Sequence, residues 1–323
     1  VGLWQINADT LAGSRFVVSE LAEAVASLKA LHTRKATDPG ARAWLDAHLP
    51  AYRRRTAADP ITALIVRCAL DTTWNPDYLT PTPTGEGEAG FAEELAAVRA
   101  TAPDTARADL AVSVGGPLPA ALHRDDLAAR TADLLAWVWT ETVLPYWPRR
   151  RRVIEADIVA RTAQLSHSGW AAALDDLRPG MRWLGDGRLR INRFDYPPRE
   201  VADARLMFVP VTPSTGWVSW DSAGRRFAVV YPCSGTLADS APQPVPDPLG
   251  RLLGPGRAAV LVLLDTPKST THLVALTGQG LGSVGRHLKV LLDARLIDRR
   301  RAGRSVLYYR TSAAEALLAA QRE

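Results

Sequence analysis

Residues 281–294 carry a helical pattern whose two faces differ in chemistry, and that pattern limits what can surround it. At about 100° per residue, Leu281, Val284, Leu288, Leu291 and Leu292 fall on one side, while Gly282, Ser283, Arg286 and Lys289 point the other way. The apolar side needs cover, and the flanking sequence offers it. Upstream, residues 257–264 read as a short apolar helix, interrupted by Thr266, Pro267 and Lys268. Ser269 or Thr270 can cap a second helix reaching about Thr277, and Gly278, Gln279 and Gly280 make a tight turn. Downstream, Leu296 and Ile297 open a strand, residues 301–304 turn, and residues 306–310 return as its partner. Three helices closed by a hairpin are expected here.

The same stretch concentrates charge. Residues 256–310 hold ten Lys and Arg against Asp265, Asp293 and Asp298, a formal +7 where the whole chain is +5, so the remainder sums to −2. Localised positive charge argues for a polyanionic partner. The layout is that of a winged helix-turn-helix, in which the third helix enters the major groove of duplex DNA. Arg286 is the candidate for a base edge, because its planar fork matches guanine O6 and N7. Ser283 can reach a base or a phosphate, and Lys268 and Lys289 neutralise the DNA backbone. Arg300, Arg301, Arg304 and Ser305 lie about the hairpin tip, within reach of phosphate or the minor groove. His287 sits at the edge of the apolar stripe, and hydrogen-bonded packing and DNA contact both stay open for it. The glycines at 280, 282 and 285 each cost a helix roughly 0.5–1 kcal/mol relative to Ala. Close approach of the backbone to phosphates, or a first turn ordered by DNA, accounts for them.

Several phrases here resemble the ArsR family of bacterial winged-helix repressors: STTHLVALTG at 269–278, SVGRHLKVL at 283–291, ARLI at 294–297 and GRSVLYY at 303–309. The resemblance implies a transcription regulator, usually a homodimer, that binds a partly palindromic operator and changes its grip when an effector changes state. The longer arrangement is similar to a larger actinobacterial branch, in which a further N-terminal domain precedes the winged helix. Many family members sense metals through a cysteine pair on the second helix. That helix contains no cysteine here, so this metal site is absent from the chain.

The length of 323 residues allows two or three domains. The expected fold is mainly α with small β elements: a helical N-terminal domain with a small sheet (1–235), a Pro-rich linker (236–248) and a C-terminal winged helix-turn-helix (249–323). In the first part, residues 1–7 alternate as a short strand. Helices are expected at 19–31 (capped by Ser19), 61–69, 91–100 and 125–147, with short pieces at 40–48 and 52–55 separated by Pro50. Residues 111–117 lack the P-loop lysine and read as an inter-helix loop. Arg149 to Arg152 can touch phosphates, form a solvated face, or pair with Glu155 and Asp157; a further short helix follows at 166–177. From residue 183 the pattern changes to strands, with a hairpin turn at Asp186 and Gly187 and strands at 206–210, 217–220 and 227–231. Nine of the ten tryptophans lie between 44 and 220, which fits a core, a subunit interface or a ligand pocket.

Two cysteines define no disulfide framework, and six histidines show no ligand spacing, so neither metal nor cofactor is expected. The apolar run at 258–264 falls far short of the roughly 20 residues that cross a bilayer. No basic segment leads into an apolar signal core, so a cytoplasmic location is expected. With no ordered nucleophile–base group, metal triad or nucleotide loop, an enzyme is not expected. The expected partners are operator DNA, a second copy of the chain and a small-molecule effector in the N-terminal domain. An architectural or protein-interaction module on DNA, or an enzyme recruited to it, is the alternative.

Overall fold

The computed structural model describes residues 2–36, 39–85, 89–175, 177–192, 197–233, 246–264, 268–302 and 305–320. The chain is mainly helical with small sheets. It opens with β1 (Leu3–Gln5), α1 (Ala8–Ala12) and β2 (Arg15–Phe16), then α2 (Glu20–Thr33), α3 (Pro39–Ala58), α4 (Pro60–Leu70), α5 (Phe91–Arg99), α6 (Pro103–Val114) and α7 (Leu127–Val138). Ser19 Oγ accepts from the Ala22 N–H and Asp59 from the Thr62 N–H, so α2 and α4 start at capped ends. Helix α3 runs unbroken through Pro50, where two short pieces were expected. Pro50 and Asp46, whose carbonyl loses its partner, are both exposed, so water can serve the freed group while Trp44, Leu45 and Tyr52 anchor the helix. The stretch expected as a loop at 111–117 instead finishes α6, and Gly115 ends it in the left-handed conformation (φ 70°).

After α7 a π-helical turn (Trp139–Val143) and a 3₁₀ turn (Leu144–Tyr146) lead into α8 (Trp147–Leu174), which kinks at Gly169 (φ 70°, ψ 177°). Then come β3 (Arg182–Gly185), β4 (Arg188–Arg190), β5 (Arg199–Glu200), β6 (Arg205–Val211), β7 (Trp217–Asp221) and β8 (Arg226–Pro232). They form two sheets with the order β3-β4-β1-β5 and β2-β6-β8-β7, so the N-terminal strands enter both. β8 returns between β6 and β7, parallel to the first and antiparallel to the second.

Side chains of a strand alternate between faces, and here the alternation divides two cores. Met207, Val209, Val211, Ala228 and Val230 face the helices α2–α8. Leu206, Phe208, Phe227, Val229 and Tyr231 face Trp4, Ile6, Leu189 and the end of α8. Burial on both faces explains the unbroken apolar run of β6.

A buried ion pair fastens these layers. Arg150 Nη1 of α8 donates to Glu23 Oε1 (2.6 Å) and Ser27 Oγ (2.9 Å) of α2, and Glu23 Oε2 accepts from the Thr212 N–H (2.8 Å). Arg150 is 1% exposed, so the second of the four arginines reaches neither solvent nor DNA. Arg151 pairs with Glu155 (2.8 Å).

The chain ends with α9 (Asp247–Leu253), α10 (Pro255–Leu263), β9 (Lys268–Ser269), α11 (Thr270–Thr277), α12 (Leu281–Asp293), β10 (Ile297–Ala302), β11 (Ser305–Arg310) and α13 (Ser312–Ala319). Residues 234–245, most of the expected linker, lie outside the described residues; α9 begins at Asp247, before the expected boundary. These elements share a third core of Leu249, Val260, Leu261, Leu273, Val284, Leu288, Leu291, Ile297 and Leu318. Helix α11 packs on α8, with Val274 against Val153 and Ala156. Among the described residues no helix is long and apolar enough to cross a membrane.

Candidate functional site

Helix α12 covers α10 and α11 with Val284, Leu288 and Leu291 and leaves Gly282, Gly285, Arg286 and Lys289 exposed. Asp293 ends that outer face. Leu281, expected on the covered side, is 48% exposed. It sits at the edge of the stripe and in the first turn, beyond the neighbouring helices. Around Gly280, Gly282 and Gly285 nothing approaches within 4 Å of where a Cβ would stand, so packing inside the protein does not call for these glycines.

The remaining expected contact residues divide. Ser283 Oγ donates to Gln279 Oε1 (3.1 Å), and His287 Nε2 donates to the same oxygen (3.0 Å) and lies 3.3 Å from Ser283 Oγ. Both side chains are half-buried and knit the turn to the helix. His287 also lies against α10, where a Cβ at Gly256 would come within 2.6 Å of Nε2. Of its two open roles, the packing one has these contacts behind it.

Lys268 is a correction. It is 1% exposed, in β9, paired with Tyr308 of β11, and its ammonium does not face solvent. The sequence pattern hid β9, because two residues are too few for alternation to register. Arg310 is structural as well: its Nε donates to the Leu261 carbonyl (2.8 Å) and its Nη2 to that of Val262, capping the end of α10.

Strands β10 and β11 pair antiparallel from Ile297↔Arg310 to Ala302↔Ser305, with β9 beside β11. Arg299 and Arg300 are exposed on β10, and Arg295 is exposed before it. The backbones of Arg301 and Ser305 belong to the paired strands, while Arg304 and the side chains of Arg301 and Ser305 lie outside the described residues. Arg286 and Lys289 thus stand on a free helix face in a unit whose hairpin presents further cations.

A cavity of about 380 Å³ lies between α2, residues 72–77 and the two sheets, lined by Lys29, Trp74, Arg178, Trp217 and Trp220 among others. Sequence reading allowed a Trp-rich pocket but named none of its charged residues, because they come from segments nearly 150 positions apart. No group of His, Cys, Asp and Glu among the described residues could hold a metal ion. Cys68 is buried and Cys233 half-buried, both unbridged, and burial pushes both thiols up, which disfavours reactive thiolates. Compared with family models, with curated proteins and with solved structures, the chain matches none.

Proposed function

We propose that the chain is a sequence-specific, double-stranded-DNA-binding transcription regulator whose C-terminal segment is a winged helix-turn-helix. One observation carries the reading: α12 is covered on its apolar side and bare on a side holding Gly282, Gly285, Arg286 and Lys289, in a unit of order α10-β9-α11-α12-β10-β11. A helix so exposed and so charged is what the major groove accommodates. The two glycines let the helix backbone come close to the duplex, Arg286 addresses a base edge, and Lys289 and Arg300 neutralise phosphates. The phrases that resemble the ArsR family fall on these same elements. A homodimer, placing two such helices on successive major-groove faces, would read a partly palindromic site.

Selection of tightly bound duplexes from a random library tests the reading. A short, partly palindromic sequence is expected to emerge. Arg286→Ala should lose discrimination between that sequence and random DNA. Arg300→Ala should weaken binding to both and lower the log–log salt slope by about one. Uniform, salt-sensitive coating with no enriched sequence would instead support an architectural role.

A further inference from the structure

We propose that the tryptophan-walled cavity between α2 and the two sheets is a binding site for a small aromatic carboxylate. Its lining holds buried hydrogen-bond donors that no acceptor among the described residues meets. Arg178 Nη1 and Trp4 Nε1 are buried and have no partner among the described residues, and both residues line the cavity. Lys29 Nζ donates to Asn75 Oδ1 (2.9 Å) and lies 5.5 Å from the centre of the Trp217 ring. An ammonium carries three N–H groups, so one hydrogen bond leaves it with capacity for an incoming acceptor. Buried donors without acceptors are a standing cost that an arriving carboxylate would remove.

Charge points the same way. Burial, with the nearby Arg178 charge second, pulls Lys29 down to about 8, and burial pulls Arg178 down to about 10. These are cations held away from water, and an anion between them would offset both their desolvation and their repulsion. Among the described residues the other charged groups of the lining are Asp77 and Arg199. Burial and then Asp109 push Asp77 up to about 6 while Arg199 opposes them, and the Arg199 guanidinium already lies 3.9 Å from the Trp220 ring centre. Among the described residues three cations face one carboxylate, a balance that favours an anion over the cation that an aromatic cage would otherwise attract.

The apolar body of the ligand is set by the walls. Trp74 and Trp220 meet edge to face at 5.3 Å, and Trp217 adds a third indole to the wall. A volume of about 380 Å³ falls within the roughly 300–1,000 Å³ of small-molecule sites, with room for two fused rings.

That occupancy is felt at DNA rests on the function proposed above; binding itself does not. Helix α2 carries both Lys29 and Glu23, and Glu23 holds Arg150 of α8, the helix on which α11 packs. Arg178 lies just beyond the other end of α8.

Calorimetric titration of the whole protein with 2-naphthoate, 2-naphthamide and 2-naphthylmethylamine separates the possibilities. Naphthoate is expected to bind in the micromolar range, the amide roughly tenfold or more weakly, and the amine not at all. Lys29→Met and Arg178→Met should each lower naphthoate affinity by about tenfold or more with the unfolding midpoint unchanged or raised. Asp77→Asn should raise that affinity severalfold, a gain that misfolding cannot imitate. Equal affinity for acid and amide, preference for the amine, no binding of any probe, or full naphthoate affinity in the Lys29 and Arg178 variants would overturn the proposal. Binding to the selected duplex is followed in parallel. Naphthoate that binds without altering DNA affinity overturns the regulatory link alone, and a protein that ignores DNA overturns the proposed function while leaving the site.

Discussion

The carboxylate of Glu94 accepts from Ser19 Oγ (2.7 Å) and from the Leu21 N–H (3.0 Å) at the start of α2. Burial pushes its pKa from 4.5 up to about 7, against the pull of those hydrogen bonds. A carboxyl whose folded pKa is raised favours the fold while protonated. Its contribution is complete below about 4.5 and is lost as pH climbs through about 7, a swing of roughly 3 kcal/mol. Denaturant titrations should show stability falling across that window, and Glu94→Gln, whose amide oxygen can still accept from the Leu21 N–H while its NH2 donates to Ser19 Oγ, should flatten most of the fall. An equally steep fall in the variant would sink the assignment. Single cations are harder to judge from sequence. Lys268 and Lys289 look alike in the chain, yet one is 1% exposed and the other is free on α12. Lys289→Met should therefore lower the salt slope of DNA binding by about one, and Lys268→Met should leave that slope unchanged in whatever fraction folds.

Helix α12 separates stability from binding. Alanine at Gly282 or Gly285 meets nothing within 4 Å, so each change should stabilise the protein by about 0.5–1 kcal/mol. If the glycines serve close approach to a duplex, the same changes weaken DNA binding; a stabilised variant with undiminished affinity would remove that role. Helix α8 gives the opposite case. Arg150→Met leaves Glu23 charged and buried, with an expected loss of about 3–5 kcal/mol, and Glu23→Gln combined with Arg150→Met should recover part of it. Thermal or denaturant unfolding of the three variants measures both effects. At this scale α10, α11 and α12 were legible, since local periodicity and Gly or Thr near their ends set them, whereas α13 was not foreseen. The role of Arg150 was not: four consecutive arginines carry no sign of which one faces Glu23, 127 positions away.

Across the molecule, the seam between the C-terminal unit and the rest includes an apolar contact, Val274 of α11 on Val153 and Ala156 of α8. Val153→Asp should raise hydrogen exchange at α11 amides while leaving α4 and α6 protected; unchanged exchange at α11 would show that this contact does not hold the unit. The pairing of β6 with β8 was the least legible feature. β7 intervenes in the chain, the pair is parallel, and burial on both faces erases the alternation that marks a strand. The cavity shared that obscurity, since Trp4, Lys29, Trp74, Arg178 and Trp217 converge only once α2 and both sheets are assembled. The parallel pairing that the sequence did not disclose has a thermodynamic result. Because Met207 and Phe208 are consecutive yet belong to different cores, neither core can melt without stripping one side of the other's wall, and heating should dissolve both in a single cooperative step.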